Sequence, residues 1–159
     1  MNFIGRLILI AQRVVATSRD TKLHRSLLDH HFHSMGLVLI KSRVRDGGRF
    51  DITECVFHSV EGSCTYGLSE FLIVSRGARS LVRVELFCRE RDALAVSLLS
   101  EMGSYICQSY SIPTLGNAIE LVSGKARLVN RSCIRLESQQ ANRFCILEVE
   151  VVVESEIDS

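Results

Sequence analysis

The residues best able to do chemistry are histidines and cysteines, and they are unevenly placed. His30, His31 and His33 cluster in the first quarter of the chain, and Cys55 and His58 would share a face of a helix at i, i+3. Imidazole nitrogens and thiolates are the usual ligands of structural zinc. An HxH group followed much later by CxxH nevertheless matches no closed zinc spacing, and the plainer reading is a His-rich polar link between a helix and a strand. No metal or cofactor is expected. Cys64, in Gly62-Ser63-Cys64-Thr65, can be drawn as a nucleophile with a histidine as its base, but residue type alone supports that pairing. All six cysteines stand singly, with no CxxC pair, which predicts reduced, mostly buried thiols, Cys88 and Cys145 among them as small core residues. The sequence has no GxxxxGK[ST] phosphate loop and no GxGxxG, HExxH or GxSxG motif, so an enzyme is not expected. Asn130-Arg131-Ser132 matches a glycosylation sequon, which has meaning only in a secreted chain.

Arginine is the more informative residue. The chain holds 19 Lys and Arg against 18 Asp and Glu, a formal net charge of +1, yet the charges are segregated. Nine cations face three Asp in residues 1–50, whereas residues 137–159 hold six acids and Arg143 alone. All but three of the cations are Arg, the side chain suited to bidentate contact with phosphate or carboxylate. Lys41, Arg43 and Arg45 recur at period two and Arg49 follows, so these four are the candidate polyanion-binding residues, expected on one exposed surface. The competing reading is that such charges are solvated faces that pair with one another. Three Tyr, no Trp and no aromatic strand motif argue against a base-stacking platform for single strands.

The first nineteen residues carry no acid. Phe3, Ile4, Leu7, Ile8, Ala11, Val14 and Val15 recur at helical spacing, with Arg6 and Arg13 off that stripe. Three readings of this amphipathic segment compete. It is a helix packed on the core, an interfacial membrane helix using Phe3, Ile4, Leu7, Ile8, Arg6 and Arg13, or an Arg-rich mitochondrial presequence. It is too short and too charged to span a bilayer.

The elements that must position these residues follow from periodicity. Residues 36–44 read as a strand, with Val38, Ile40 and Val44 on one face and Leu37, Leu39 and then the basic ladder on the other. Asp46-Gly47-Gly48 marks a turn. Asp51 to Glu54 fits a capping box, predicting a short helix from Ile52 to Val60 closed by Gly62, with a strand as the alternative. Phe71–Arg76 and Leu81–Cys88 form a hairpin, and on its second strand Val82, Val84, Leu86 and Cys88 alternate with Arg83 and Glu85 as in a half-buried strand. Its cover is a helix over 92–107, with Asp92 as N-cap and Ala95, Leu98, Leu99, Met102 and Ile106 inward; Gly103 weakens its last turn. Ala118 to Val122 is a short apolar run of undecided type.

Arg127–Leu136 and Phe144–Val153 close the sheet. Placing Arg135 opposite Phe144 sets Arg131 against Glu148, making Arg127, Arg131 and Arg135 a structural row paired with acids. The inward row is then Cys145, Leu147, Val149 and Val151. Three segments result: an N-terminal amphipathic helix (1–25), an α+β core (30–153) and an acidic tail (154–159). The fold expected is a single α+β domain, a mainly antiparallel sheet packed against two or three helices.

From residue 32 to 88, the order strand, basic Gly-containing turn, capped short helix, glycine-bounded loop and two further strands resembles the opening of the globular domain of rhabdovirus matrix proteins. The resemblance implies a non-enzymatic viral matrix-like assembly protein, associated with the host membrane or the virion, that links ribonucleoprotein to membrane. Its partners would be nucleocapsid or RNA and an anionic membrane surface, with self-association possible in principle. The alternatives are a small RNA-binding accessory protein, such as a silencing suppressor using the same arginines, and a mitochondrially targeted factor. The expected setting is intracellular.

Overall fold

The computed structural model describes residues 24–43, 49–75, 80–137, 141 and 143–153. The expected helix at 1–15, the turn at 44–48 with Arg45, and the tail at 154–159 lie outside the described residues. The fold is α+β, as expected: one mixed, mostly antiparallel sheet between two helices. Its strands are β1 (Leu37–Arg43), β2 (Asp51–Phe57), β3 (Val60–Tyr66), β4 (Ile73–Ser75), β5 (Ser80–Cys88), β6 (Ile119–Glu120), β7 (Lys125–Arg135) and β8 (Arg143–Val152). They run β1-β2-β3-β5-β8-β7-β6, with β4 continuing alongside β5 where β3 leaves it. The one parallel pair is β5 with β8, and helix α2 (Ala93–Ser109) lies in the crossover between them.

Helix α2 forms as its sequence predicts. Asp92 is extended, and its carboxylate accepts from the Ala95 amide at 2.8 Å. Ala95, Leu98, Leu99, Met102 and Ile106 are buried against Val82, Val84, Leu86, Leu147 and Val149. Gly103 has a packing reason: a Cβ there would stand 2.3 Å from Cζ of Phe50, so the ring lies directly on the helix backbone. A second helix, α1 (24–34), covers the opposite face, where Leu28 and Phe32 pack with Cys55, Phe57, Phe87, Phe144 and Ile146. The sheet is therefore buried on both sides at its centre.

Four expectations are corrected. Residues 52–60 are not a helix: β2 and β3 form a hairpin joined by His58 and Ser59, with φ of 48° and 66°. Two positive φ values fit the twist of a two-residue hairpin turn, which glycine or asparagine usually signals and this sequence does not. Ile52 faces one core and Cys55 and Phe57 the other, so the Asp51–Glu54 pattern stands on a strand buried on both faces and caps no helix. Gly62 does not close a helix but lies in β3, where a Cβ would meet the Cys88 carbonyl oxygen.

On β1, Leu37 is buried whereas Val38 and Ile40 are half exposed, the reverse of a Val38/Ile40 core face. The cysteines are not all reduced, because Cys133 and Cys145 form a disulfide across β7 and β8, while Cys55, Cys64, Cys88 and Cys107 are buried thiols.

The fourth correction concerns the closing strands. Leu147 and Val149 are buried as expected, so the faces of β8 were read correctly. The register is one residue off: Arg135 stands opposite Arg143, and Arg131 opposite Leu147. An irregularity between Leu128 and Asn130 inserts an extra residue, and such a bulge sends the side chains before and after it to opposite faces. Arg127 consequently meets Glu150 at 2.9 Å, whereas Arg131 and Arg135 share the other face.

Candidate functional site

Serine, histidine and carboxylate meet at one place, the middle of β5. Arg83 and Glu85, expected to face solvent, are 1% and 0% exposed. The cause is topological. After Cys64, β3 leaves β5, and residues 67–72 loop away before β4 resumes the pairing, so the backbone there has no strand partner. Glu85 supplies one. Its carboxylate accepts from the amides of Gly67, Leu68 and Ser69, each at 3.1 Å, and from the hydroxyls of Thr65 and Ser69. Arg83 donates to the carbonyls of Ser69 at 2.7 Å and Glu70 at 3.1 Å. Together the two side chains satisfy donors and acceptors that would otherwise be buried unpaired. Thr65 completes the join by accepting from the Leu86 amide at 2.8 Å.

His24, at the start of α1, lies 2.8 Å from Ser69 Oγ through Nε2. Burial, reinforced by Arg83, lowers its pKa to about 3, so it is neutral. Burial pushes Glu85 up to about 7, and its hydrogen bonds offset part of that rise. The order of contacts decides what this cluster can do. In a nucleophilic triad the histidine sits between acid and serine and takes the serine proton. Here the serine sits between the other two; its one proton goes to Glu85, so His24 Nε2 donates to Ser69 Oγ and is not placed to act as a base. All three are nearly inaccessible, at 5%, 0% and 0% exposure. The cluster is a clamp on the 67–70 turn. Arg25 braces it from outside, bonding Glu70 at 2.7 Å and lying 4.5 Å above the Tyr66 ring.

The sequence carried one overlooked sign of this burial: Phe87 shares the face of Arg83 and Glu85, so that face was never wholly polar.

The histidine and cysteine candidates disperse. His31 stacks on His24 at 5.5 Å and packs on Phe144 at 5.4 Å, while Cys55 is buried on β2 and His58 is in the hairpin turn. Among the described residues no three His, Cys, Asp or Glu side chains could hold a metal ion together. Cys64 is fully buried, and a hydrogen bond with Cys55, followed by burial, raises its thiol well above the usual range, the reverse of an activated nucleophile.

Of the predicted polyanion residues, Lys41 and Arg43 belong to edge strand β1, opposite Glu54 and Ile52 in backbone register; their side chains and all of Arg45 lie outside the described residues. Arg49 is exposed, its guanidinium 6.0 Å from the Phe71 ring centre. Phe3, Ile4, Leu7, Ile8, Arg6 and Arg13 also lie outside the described residues.

A different basic site emerges on β7 and β8. Arg131 and Arg135 are exposed, Arg143 is partly exposed, and Arg135 and Arg143 stand directly opposite each other. Among the described residues no carboxylate pairs with any of the three, since Glu148 is held by Arg89 at 3.2 Å and Glu150 by Arg127. Like charges directly opposed on adjacent strands are destabilising. Among the described residues the outer edge of β7 is paired only by β6, at Lys125 and Ala126.

Comparison with known proteins does not extend this picture, as no protein-family model, curated protein or solved structure matches the chain. Among the described residues no helix is long and apolar enough to cross a membrane.

Proposed function

We propose that this chain is a non-enzymatic binding and assembly protein that holds a polyanion, in the specific form of a viral matrix-like protein linking ribonucleoprotein to membrane. The observation that supports the polyanion half is the cluster of exposed Arg131 and Arg135 with partly exposed Arg143 on one sheet face, with no acid among the described residues paired to it. Guanidinium groups in that state retain their full capacity for bidentate phosphate contact. The buried cluster at Glu85 supports a structural role for the molecule's only Ser-His-Glu contact among the described residues, since its donors and acceptors are spent on the fold. The membrane half rests on the amphipathic pattern of residues 1–15.

Titrating a fluorescent single-stranded RNA with the full chain at several salt concentrations tests the reading. Three phosphate contacts to a single strand predict a slope of about −2 in log K against log salt. Arg131→Glu/Arg135→Glu should remove most binding with the circular dichroism spectrum unchanged. Full binding by that variant, or binding insensitive to salt, would refute the assignment to this cluster; loss only in Arg43→Glu/Arg45→Glu would move the site to residues 43–45.

A further inference from the structure

The disulfide lies within the arginine cluster. Residues two apart on a strand share a face, so Arg131, Cys133 and Arg135 point the same way on β7, as do Arg143, Cys145 and Leu147 on β8. Cys133 and Cys145 form the rung between Arg131–Leu147 and Arg135–Arg143, and each flanking arginine starts roughly 7 Å away along its strand. The two residues differ in exposure, since Cys133 is exposed and Cys145 is 3% exposed. The four cysteines outside the disulfide are all buried, so among the described residues this rung holds the one exposed cysteine.

We propose that Cys133–Cys145 is a thiol–disulfide exchange site for small anionic thiols of the glutathione type, with Arg131, Arg135 and Arg143 as the residues that recruit them. The thiolate of the small molecule attacks Sγ of exposed Cys133. A bond forms between the two sulfurs, the Cys133–Cys145 bond breaks, and Cys145 leaves as a thiolate that takes a proton from water. A second thiolate then attacks the incoming sulfur of the mixed disulfide and releases Cys133 as a thiolate. The protein gains two electrons, and two small thiols are oxidised to their disulfide; the reverse sequence re-forms the rung. Neighbouring guanidinium charges favour both steps, by drawing carboxylate-bearing thiols to the strand pair and by stabilising the departing thiolates. Exchange at sulfur requires an accessible sulfur and a stabilised leaving thiolate, and this rung offers both. The proposal does not depend on the same arginines holding RNA, because a small thiol needs only the local charge.

The test uses the full chain purified without reductant. Rates of rung opening are measured with glutathione and with cysteamine, whose amine is cationic, by alkylating the new thiols and reading intact mass. Wild type should react faster with glutathione, after allowance for thiolate fraction, and high salt should remove the preference. Arg131→Gln/Arg135→Gln/Arg143→Gln should slow glutathione about tenfold without slowing cysteamine. Peptide mapping of the quenched wild-type reaction should place the mixed disulfide on Cys133, and Cys145→Ser, in which Cys133 is a thiol, should form the same mixed disulfide when treated with glutathione disulfide, releasing one glutathione thiol. Six free thiols in the purified chain, equal slowing of both reagents, or glutathione on Cys145 or on a buried cysteine would overturn the proposal.

Discussion

Strand β5 and the β7–β8 pair both set charged side chains among apolar or thiol ones, yet they put arginine to opposite uses. On β5, Arg83 is 1% exposed and bonded to backbone carbonyls, beside a carboxylate that five donors surround. On β7, Arg131 and Arg135 are exposed and paired with no acid among the described residues. Neighbouring strands make the difference. β5 lies mid-sheet between β3 and β8 and is covered on both faces, so a charge there survives only when its hydrogen bonds are complete. β7 lies near the edge, where water solvates what the protein leaves unpaired. An arginine in a strand therefore marks either the most constrained or the least constrained part of a sheet, and alternation alone does not say which.

Removing the clamp is the strongest way to break this comparison. Glu85→Ala strands three amides and two hydroxyls in the interior, so it should cost about 3–5 kcal/mol by urea denaturation, enough to unfold a marginal domain. A loss below about 1 kcal/mol would mean that the turn finds other partners and that Glu85 is not its anchor.

The same cluster predicts a pH dependence of intermediate size. The folded pKa of Glu85 is raised to about 7, so the native state binds more protons than the unfolded chain between about 4.5 and 7, and this group's contribution to stability falls as pH rises through that window. His24 has the opposite sign. Its folded pKa is lowered to about 3, so its contribution rises with pH between about 3 and 6.5. The two oppose each other from about 4.5 to 6.5. His24→Gln removes one of them, and its stability relative to wild type should decline as pH rises from 4 to 6, by on the order of 1 kcal/mol per pH unit. A pH-independent difference would mean that His24 titrates normally and is not held neutral by burial.

The smallest effect sharpens the other side. Arg135→Thr relieves the opposed Arg135/Arg143 pair and places a strand-favouring residue on β7, so it should gain roughly 0.2–1 kcal/mol while weakening RNA binding. A stability loss would indicate that Arg135 has a structural partner. Stability and binding moving in opposite directions is the signature expected of a residue kept for a ligand, and no substitution at Arg83 should show it.

Much of the architecture was legible locally. Helix α2 came with its N-cap and its inward row, the β4–β5 hairpin with its apolar face, and β8 with Leu147 and Val149 inward. Residues 52–60 were misread because Asp51 and Glu54 have the spacing of a capping box but stand on a strand, and burial of both its faces leaves no polar side to mark the period of two. The candidate site was less legible. Its arginines were visible, but their pairing was wrong by one residue, since nothing in Leu128-Val129-Asn130 announces the bulge.

By itself the sequence determined the periods, the caps and which side of a strand is more apolar, because these depend on residues within a turn or two of one another. Strand order decided the rest. That β3 parts from β5 over residues 67–72, so that Glu85 and Arg83 must serve as the missing strand, depends on segments far apart in the chain. That Arg131 and Arg135 meet no acid among the described residues depends on where β7 docks against β8, which a single extra residue shifts. Burial of a charge is a property of its surroundings in space, set by which elements lie above, below and beside it, and no local spacing encodes that.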